Sequence, residues 1–182
     1  PTTPNPPDNS INLALNKTAV ASSAEGDGMS ATQAVDGNTN SRWASQWSDA
    51  QWIYVDLGSS KAINRVVLKW EAAYGKSYQI QVSEDKINWT NMYSTTTGDG
   101  GVEDITASGT GRYVRRSGAQ RGTGYGYSLF DFEVYGSGGI TPPANTNKAL
   151  NKPATASSDE GVAWNAAQAV DGNNNTRWAS QW

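Results

Sequence analysis

The stretch RWASQWSD, residues 42–49, sets an arginine and a second tryptophan five positions apart in a run of small and polar residues. A guanidinium is planar, permanently charged and donates hydrogen bonds in parallel pairs. An indole offers a broad apolar face. Side by side they suit a flat, hydroxyl-rich ring: the indole stacks on the C–H face of a pyranose while the guanidinium donates to neighbouring hydroxyls. Arg42 and Trp47 are therefore candidate sugar contacts. Trp43 follows a turn and is expected in the core, whereas Trp47 sits among Ser, Gln and Asp, poor company for a buried indole. Arg42 has a plainer alternative, bracing its own loop.

Two carboxylates and two phenols extend the set. Glu71 ends the strand-like VVLKWE and opens the loop AAYGK, which puts its carboxylate at an end of the fold. Glu25 lies in the loop SSAEGDG. Taken alone, each is better explained as a solvated loop charge than as a ligand contact. Tyr125 and Tyr127 in GTGYGYSL complete the candidate rim, Tyr125 expected exposed between glycines and Tyr127 half in the core. The turn DGN offers a different chemistry. Asp36, Asn38 and Ser41 bring hard oxygen donors to one loop, which suits Ca²⁺. The alternative is an Asx turn whose side chains bond the local backbone.

Other chemistries are thinned by composition. The 182 residues include no His and no Cys, so triads of the common kinds and thiolate nucleophiles are ruled out. Glycoside hydrolysis needs two carboxylates set across a bond, and nothing in the spacing of Glu25 and Glu71 singles them out for it. No catalytic residue is assigned. A net charge of −3 lacks the basic footprint that phosphate neutralisation requires. The cluster RYVRRSGAQR, residues 112–121, is the local exception, and solubility of a strand edge accounts for it. No window approaches the ~18 apolar residues of a membrane-spanning helix.

Residues 12–47 and 147–182 align without a gap at an offset of 135, with 25 of 36 positions identical. A solenoid unit runs to ~20–50 residues, so a period of 135 is that of a whole domain. The expected organisation is a Pro/Thr-rich linker at 1–11, a complete module at 12–136, a Gly/Pro/Thr linker at 137–146, and at 147–182 the opening of a second, homologous module too short to bury a core alone. Its counterparts of the candidate residues are Glu160, Arg177 and Trp182, and Asp171, Asn173 and Thr176. The start PTTPNPPDNS shows neither an initiating Met nor a leader pattern, so the native start is expected elsewhere. Thiol-free modules on Pro/Thr tethers suggest a piece of a larger, secreted bacterial protein.

Between 51 and 136 the residues alternate with period 2 and are punctuated by turn residues. QWIYVDLG stops at Gly58; AINRVVLKW (62–70), SYQIQVSED (77–85), WTNMYSTT, VEDITA, RYVRR and SLFDFEVYG follow. Short strands at this spacing indicate an all-β, antiparallel β-sandwich. Only ATQAVDG, 31–37, looks helical, one or two turns ended by Gly37.

The framework NLALNK, AVDGN, RWAS, QWIYVDLG, YQIQVSED, RYVR and GYGYSLFDFEVYG resembles a discoidin module, or factor V/VIII C-type domain, whose bacterial sugar-binding members are carbohydrate-binding module family 32. The likeness spans 12–136, and 147–182 resembles its opening. It implies an eight-stranded jelly roll with a ligand site in the loops at one end, an Arg at the Arg42 position among the sugar contacts, and structural Ca²⁺ at Asp36, Asn38 and Ser41 with Glu133 closing the cage. Glu25 and Glu71 beside Arg42 and Trp47 resemble the set of chitosan-binding members, where acidic groups meet glucosamine ammoniums. One position departs from the family: Arg116 stands where an apolar residue is usual, and a charge there needs a partner or an exit to solvent. The expectation is a non-catalytic, monomeric module binding a polysaccharide at chain ends within a chitosanase- or glucanase-like parent. Neutral β-1,3- or α-1,3-glucan and galactosides are alternatives. A discoidin-type adhesion or phospholipid-binding role is the alternative of another class, disfavoured because Glu25 and Glu71 would repel anionic lipid.

Overall fold

The computed structural model describes residues 11–136, 149, 151–173 and 175–181. Residues 1–10, the expected linker 137–146 and Trp182 lie outside these. The chain divides into two compact units, Pro1–Gly139 and Ile140–Trp182.

In the first unit two long strands carry the architecture, β3 (Trp52–Trp70) and β6 (Val102–Arg121), paired antiparallel along most of their length. Their register shifts between Asp56 and Lys61 and again between Ile63 and Arg65. Gly58 takes φ +86 at the bend, where its N–H donates to Asp56 Oδ1 at 2.8 Å. Irregularities of this kind re-aim a strand. Before the bend, β3 pairs with β1 (Thr18–Ala21) and with the second half of β6, which continues to β4 (Gly75–Ser83) and β5 (Thr90–Thr95). After it, β3 pairs with β7 (Ser128–Gly136), and β7 with β2 (Trp43–Ala44). The two layers of the sandwich thus share β3 and β6.

Alternation supplies the core. Ile53, Val55 and Leu57, then Val66, Leu68 and Trp70, turn inward from β3; Ile80 and Val82 answer from β4, Val114 from β6, and Leu129, Phe132 and Val134 from β7 or its start. Each such side chain contributes about 1.5–3 kcal/mol on burial. Trp43 is fully buried among them. Among the described residues seven strands are delimited rather than eight. The difference lies at the bends: the segments read separately as QWIYVDLG and AINRVVLKW, and as VEDITA and RYVRR, are continuous strands. Gly58 bends the ladder without ending it. The short helical stretch is a 3-10 helix, Ala31–Ala34, with Gly37 at φ +72 beyond it.

The second unit repeats the local structure of residues 12–47. Asn16 and Asn151 both take positive φ, 57° and 55°, and their N–H groups donate to Val35 O and Val170 O, each at 2.7 Å. A 3-10 helix, Ala166–Ala169, matches Ala31–Ala34. The environments differ: Trp43 is 0% exposed, and its counterpart Trp178 is 40% exposed.

Candidate functional site

Four loops meet at one end of the first unit, and backbone bonds tie them together. Glu25 N donates to Ala44 O at 2.8 Å, Ser45 N to Tyr127 O at 2.8 Å, Glu71 N to Ser128 O at 3.0 Å, and Gly122 N to Tyr74 O at 2.8 Å. Gly126 is needed where the last loop crosses the Trp47 loop, since a Cβ there would lie 2.4 Å from the Ser45 carbonyl. The loops enclose a cavity of about 360 Å³ into which Glu25, Arg42, Trp47, Glu71 and Tyr125 all project, with Tyr127 and Ser128 at its floor.

Trp47 and Tyr125 form its aromatic wall, 57% and 60% exposed, their rings edge-to-face at 5.4 Å and 89°. In such a pair the edge of one ring rests on one face of the other, which leaves the opposite face open. Trp47 Nε1 donates to Glu25 Oε1 at 2.9 Å, which orients the indole. Among the described residues Glu71 accepts only from its own loop, Ala73 N to Oε2 at 3.3 Å. Arg42 has no carboxylate partner among the described residues. Its Nη2 meets the Met29 sulfur at 4.0 Å, and its Nε is buried without a hydrogen bond. One guanidinium and two carboxylates therefore face the cavity with donors and acceptors to spare. Tyr127, expected half in the core, is fully buried; its hydroxyl donates to Asp49 O at 2.8 Å, so it shapes the floor from beneath.

Several functional groups escaped sequence reasoning. Arg121 donates from N and Nε to Asp49 Oδ1 at 3.0 and 2.9 Å, and from Nη1 to the carbonyls of Gly124 and Tyr125, both at 3.1 Å. It clamps the Trp47 loop to the Tyr125 loop, and these bonds hold the Asp49 carboxyl below its ordinary range. Asp49 and Arg121 are 72 positions apart, and no spacing rule connects them. The rest of the 112–121 cluster is likewise engaged in bonds to neighbouring strands, Arg112 while remaining partly exposed. Arg112 forms a two-pronged pair with Asp56 at 2.7 Å, and Arg115 donates twice to Gln81 while its guanidinium lies 4.0 Å over Trp89.

Arg116 is fully buried, with its guanidinium 3.6 Å from the Tyr127 ring centroid, 5.1 Å from Trp70 and 5.4 Å from Tyr78. Among the described residues it gains no carboxylate partner, and it has no exit to solvent. Nη1 reaches the Gln51 carbonyl at 3.4 Å, and Nε and Nη2 bond nothing. Desolvation pulls its pKa down to about 10, against the opposing influence of Tyr127, Tyr78 and Glu103.

The DGN loop is closed by its own bonds: Asn38 N and Ser41 Oγ donate to the two Asp36 oxygens at 2.8 and 2.7 Å, and Ser41 Oγ approaches Asn38 O at 2.9 Å. This is the Asx-turn geometry. Glu133 is engaged elsewhere, Oε1 with Lys69 Nζ at 2.6 Å and Oε2 with the Tyr135 hydroxyl at 2.8 Å, while Lys69 also meets buried Asp131 at 3.2 Å. Among the described residues no three acidic or imidazole or thiol side chains gather as a metal set. The donor chemistry at Asp36, Asn38 and Ser41 fits a hard cation, and Glu133 is here paired with Lys69. In the second unit Asn173 N and Thr176 Oγ1 bond Asp171 in the same way, Glu160 N donates to Ala179 O, and Arg177 lies 5.9 Å from the Trp164 ring.

An antiparallel sandwich whose end loops present an aromatic wall and mixed charges around an open cavity is the architecture of a ligand-binding module. The family model described as a NedA-like, galactose-binding domain of the F5/F8 type C group matches residues 33–116. The crystal structure of chitosan-binding module 1 from the chitosanase/glucanase of Paenibacillus sp. IK-5 is 61% identical, with a TM-score of 0.67, and the match covers 69% of this chain and 99% of that one. Chitosan-binding module 2 of the same enzyme, solved in complex with chitotriose, is 53% identical at a TM-score of 0.67, covering 69% and 100%. The family 32 carbohydrate-binding module of AlyQ, in complex with 4,5-unsaturated mannuronic acid, is 26% identical at a TM-score of 0.57, covering 66% and 95%. A polysaccharide lyase 8 family protein, HylA of Enterococcus faecalis, is 38% identical over 69 residues, which span 38% of this chain and 5% of that protein. The chain belongs to the galactose-binding-like, F5/F8 type C family, and the solved relatives it resembles are non-catalytic carbohydrate-binding modules.

Proposed function

We propose that the first unit binds glucosamine-containing oligosaccharides, as the end or a short stretch of a chitosan chain, and holds a secreted polysaccharide-degrading enzyme on its substrate. The observation that carries this reading is the pairing of Glu25 and Glu71 with an unpartnered Arg42 around the Trp47–Tyr125 wall. A neutral sugar uses a carboxylate as a plain acceptor. An ammonium forms a charge-assisted bond, roughly twice as strong. Relatives that bind chitosan, at 53–61% identity, support the same ligand class. The repeat at 147–182 supports a polymeric ligand, because tandem copies on a tether gain retention through effective concentration.

Titrating glucosamine and glucose trimers into the chain tests the reading. Glucosamine binding is expected to be the tighter and to weaken as salt rises, since exposed ion pairs are screened over ~10 Å at 0.1 M. Equal affinities, both insensitive to salt, would instead assign a neutral glucan. We further propose that Ca²⁺ braces the Arg42 loop through Asp36, Asn38 and Ser41, with Glu133 closing the cage when its pair with Lys69 opens. Binding to the folded state alone raises Tm with the logarithm of free metal. A Tm equal in calcium and in chelator would leave that loop a hydrogen-bonded turn.

A further inference from the structure

Arg116 is the least explained group in the molecule. An unpaired cation in a core is destabilising, and Glu103, the nearest carboxylate acting on it, instead accepts from Trp70 Nε1 at 2.7 Å and from the Tyr78 hydroxyl. Yet the guanidinium touches the roots of three of the four loops that enclose the cavity. Nη1 meets the carbonyl of Gln51, where the Trp47 loop enters β3. Its plane packs on Tyr127, where the Tyr125 loop enters β7. Nη2 lies against Gly75, the end of the Glu71 loop, so closely that a Cβ there would stand 2.5 Å away.

We propose that Arg116 is a positioning residue for the sugar site: its rigid planar fork, wedged beneath three loops that are separated by tens of residues in sequence, holds them in the ligand-ready arrangement at a cost in stability. It never touches ligand. A planar cation stacked on aromatic rings resists tilting in a way that a flexible apolar chain does not, and a preformed site loses less freedom when it binds. The proposal rests on the binding site assigned above but not on which sugar occupies it.

Arg116→Met removes the charge and the plane; Arg116→Lys keeps the charge and removes the plane. Hydrogen exchange is followed in the ligand-free chain at Gly118, Gly122 and Ser128, whose amides bond Gln51 O, Tyr74 O and Ala73 O across the loops. The ladder amides of β3 and of β6 up to Arg115 serve as reference; Gly118, near the end of β6, is grouped with the loop amides because its acceptor Gln51 belongs to the Trp47 loop. Both variants are expected to exchange the three loop amides about tenfold faster with the ladder unchanged. The Met variant should melt at or above the parent Tm, since an apolar replacement of a buried charge is often neutral or stabilising. Both should bind the glucosamine trimer about tenfold more weakly. Loop amides as protected as in the parent, or protection lost evenly along the ladder, would overturn the proposal; if the Met variant does not fold, the Lys variant alone decides. If the parent binds no glucosamine trimer, the ligand assignment fails, and the amide comparison still decides the role of Arg116.

Discussion

Trp47 and Glu71 ask different things of a ligand, and single substitutions separate them. Trp47 supplies an open indole face, so Trp47→Ala removes stacking from any pyranose and is expected to weaken glucosamine and glucose oligomers alike, by about 2 kcal/mol or roughly thirtyfold. Glu71→Gln keeps shape and acceptor while deleting the charge. It is expected to weaken glucosamine binding by about tenfold and to leave glucose oligomers unchanged. Calorimetric titration of the two variants with both trimers reads this directly. An unchanged glucosamine affinity in Glu71→Gln would remove the ammonium contact from the proposal. Gln retains the loop bond to Ala73, so the comparison isolates charge from loop geometry.

The bend shared by β3 and β6 decides whether the loops at the far end of those strands come into register. Asp56 stands at this bend, bonded to Gly58 N and paired with Arg112, and the Arg112 guanidinium holds its carboxyl below the ordinary value. A carboxyl with a lowered folded pKa adds stability above its unfolded pKa, about 4. That stability is lost as pH falls through the folded value. Tm is therefore expected to drop below about pH 4. Asp56→Asn is expected to start from a lower Tm at pH 7 and to lose less of it on acidification. Parallel acid profiles for variant and parent would show that the bend does not depend on this pair.

The two units differ in what covers the same residues. In the first, Trp43 is enclosed by the sandwich; in the second, Trp178 is 40% exposed, Trp164 is 38% exposed, and Ala166 is the only apolar side chain counted as buried among the described residues. A largely shared sequence with similar local bonds does not amount to an independent core, because short turns bury too little apolar surface to offset their ordering entropy. A peptide of residues 147–182 is expected to melt without a cooperative transition, followed by far-ultraviolet dichroism beside the whole chain. A sharp melt of that peptide would show that the repeated segment folds unaided.

Local chemistry was legible because it is written in neighbouring residues. Alternation in QWIYVDLG and SYQIQVSED predicts strands, the repeat at an offset of 135 predicts a domain-sized unit, and Arg42 and Trp47 announce a stacking site by type and spacing alone. Even Glu25 and Glu71, 46 positions apart, were within reach, because each falls where a strand or turn yields to a loop. What escaped was everything that depends on long-range register. Gly58 reads as a stop, but the strand continues because β6 bonds to it on both sides of the bend. The basic run at 112–121 reads as one surface feature, yet the strand pleat and the loop crossing send Arg112 to Asp56, Arg121 to Asp49, and Arg116 into the core beneath Tyr127. Side-chain type and period are local properties of a chain; which loops share a wall, and which charge stands beneath them, is decided only when strands far apart in sequence pair.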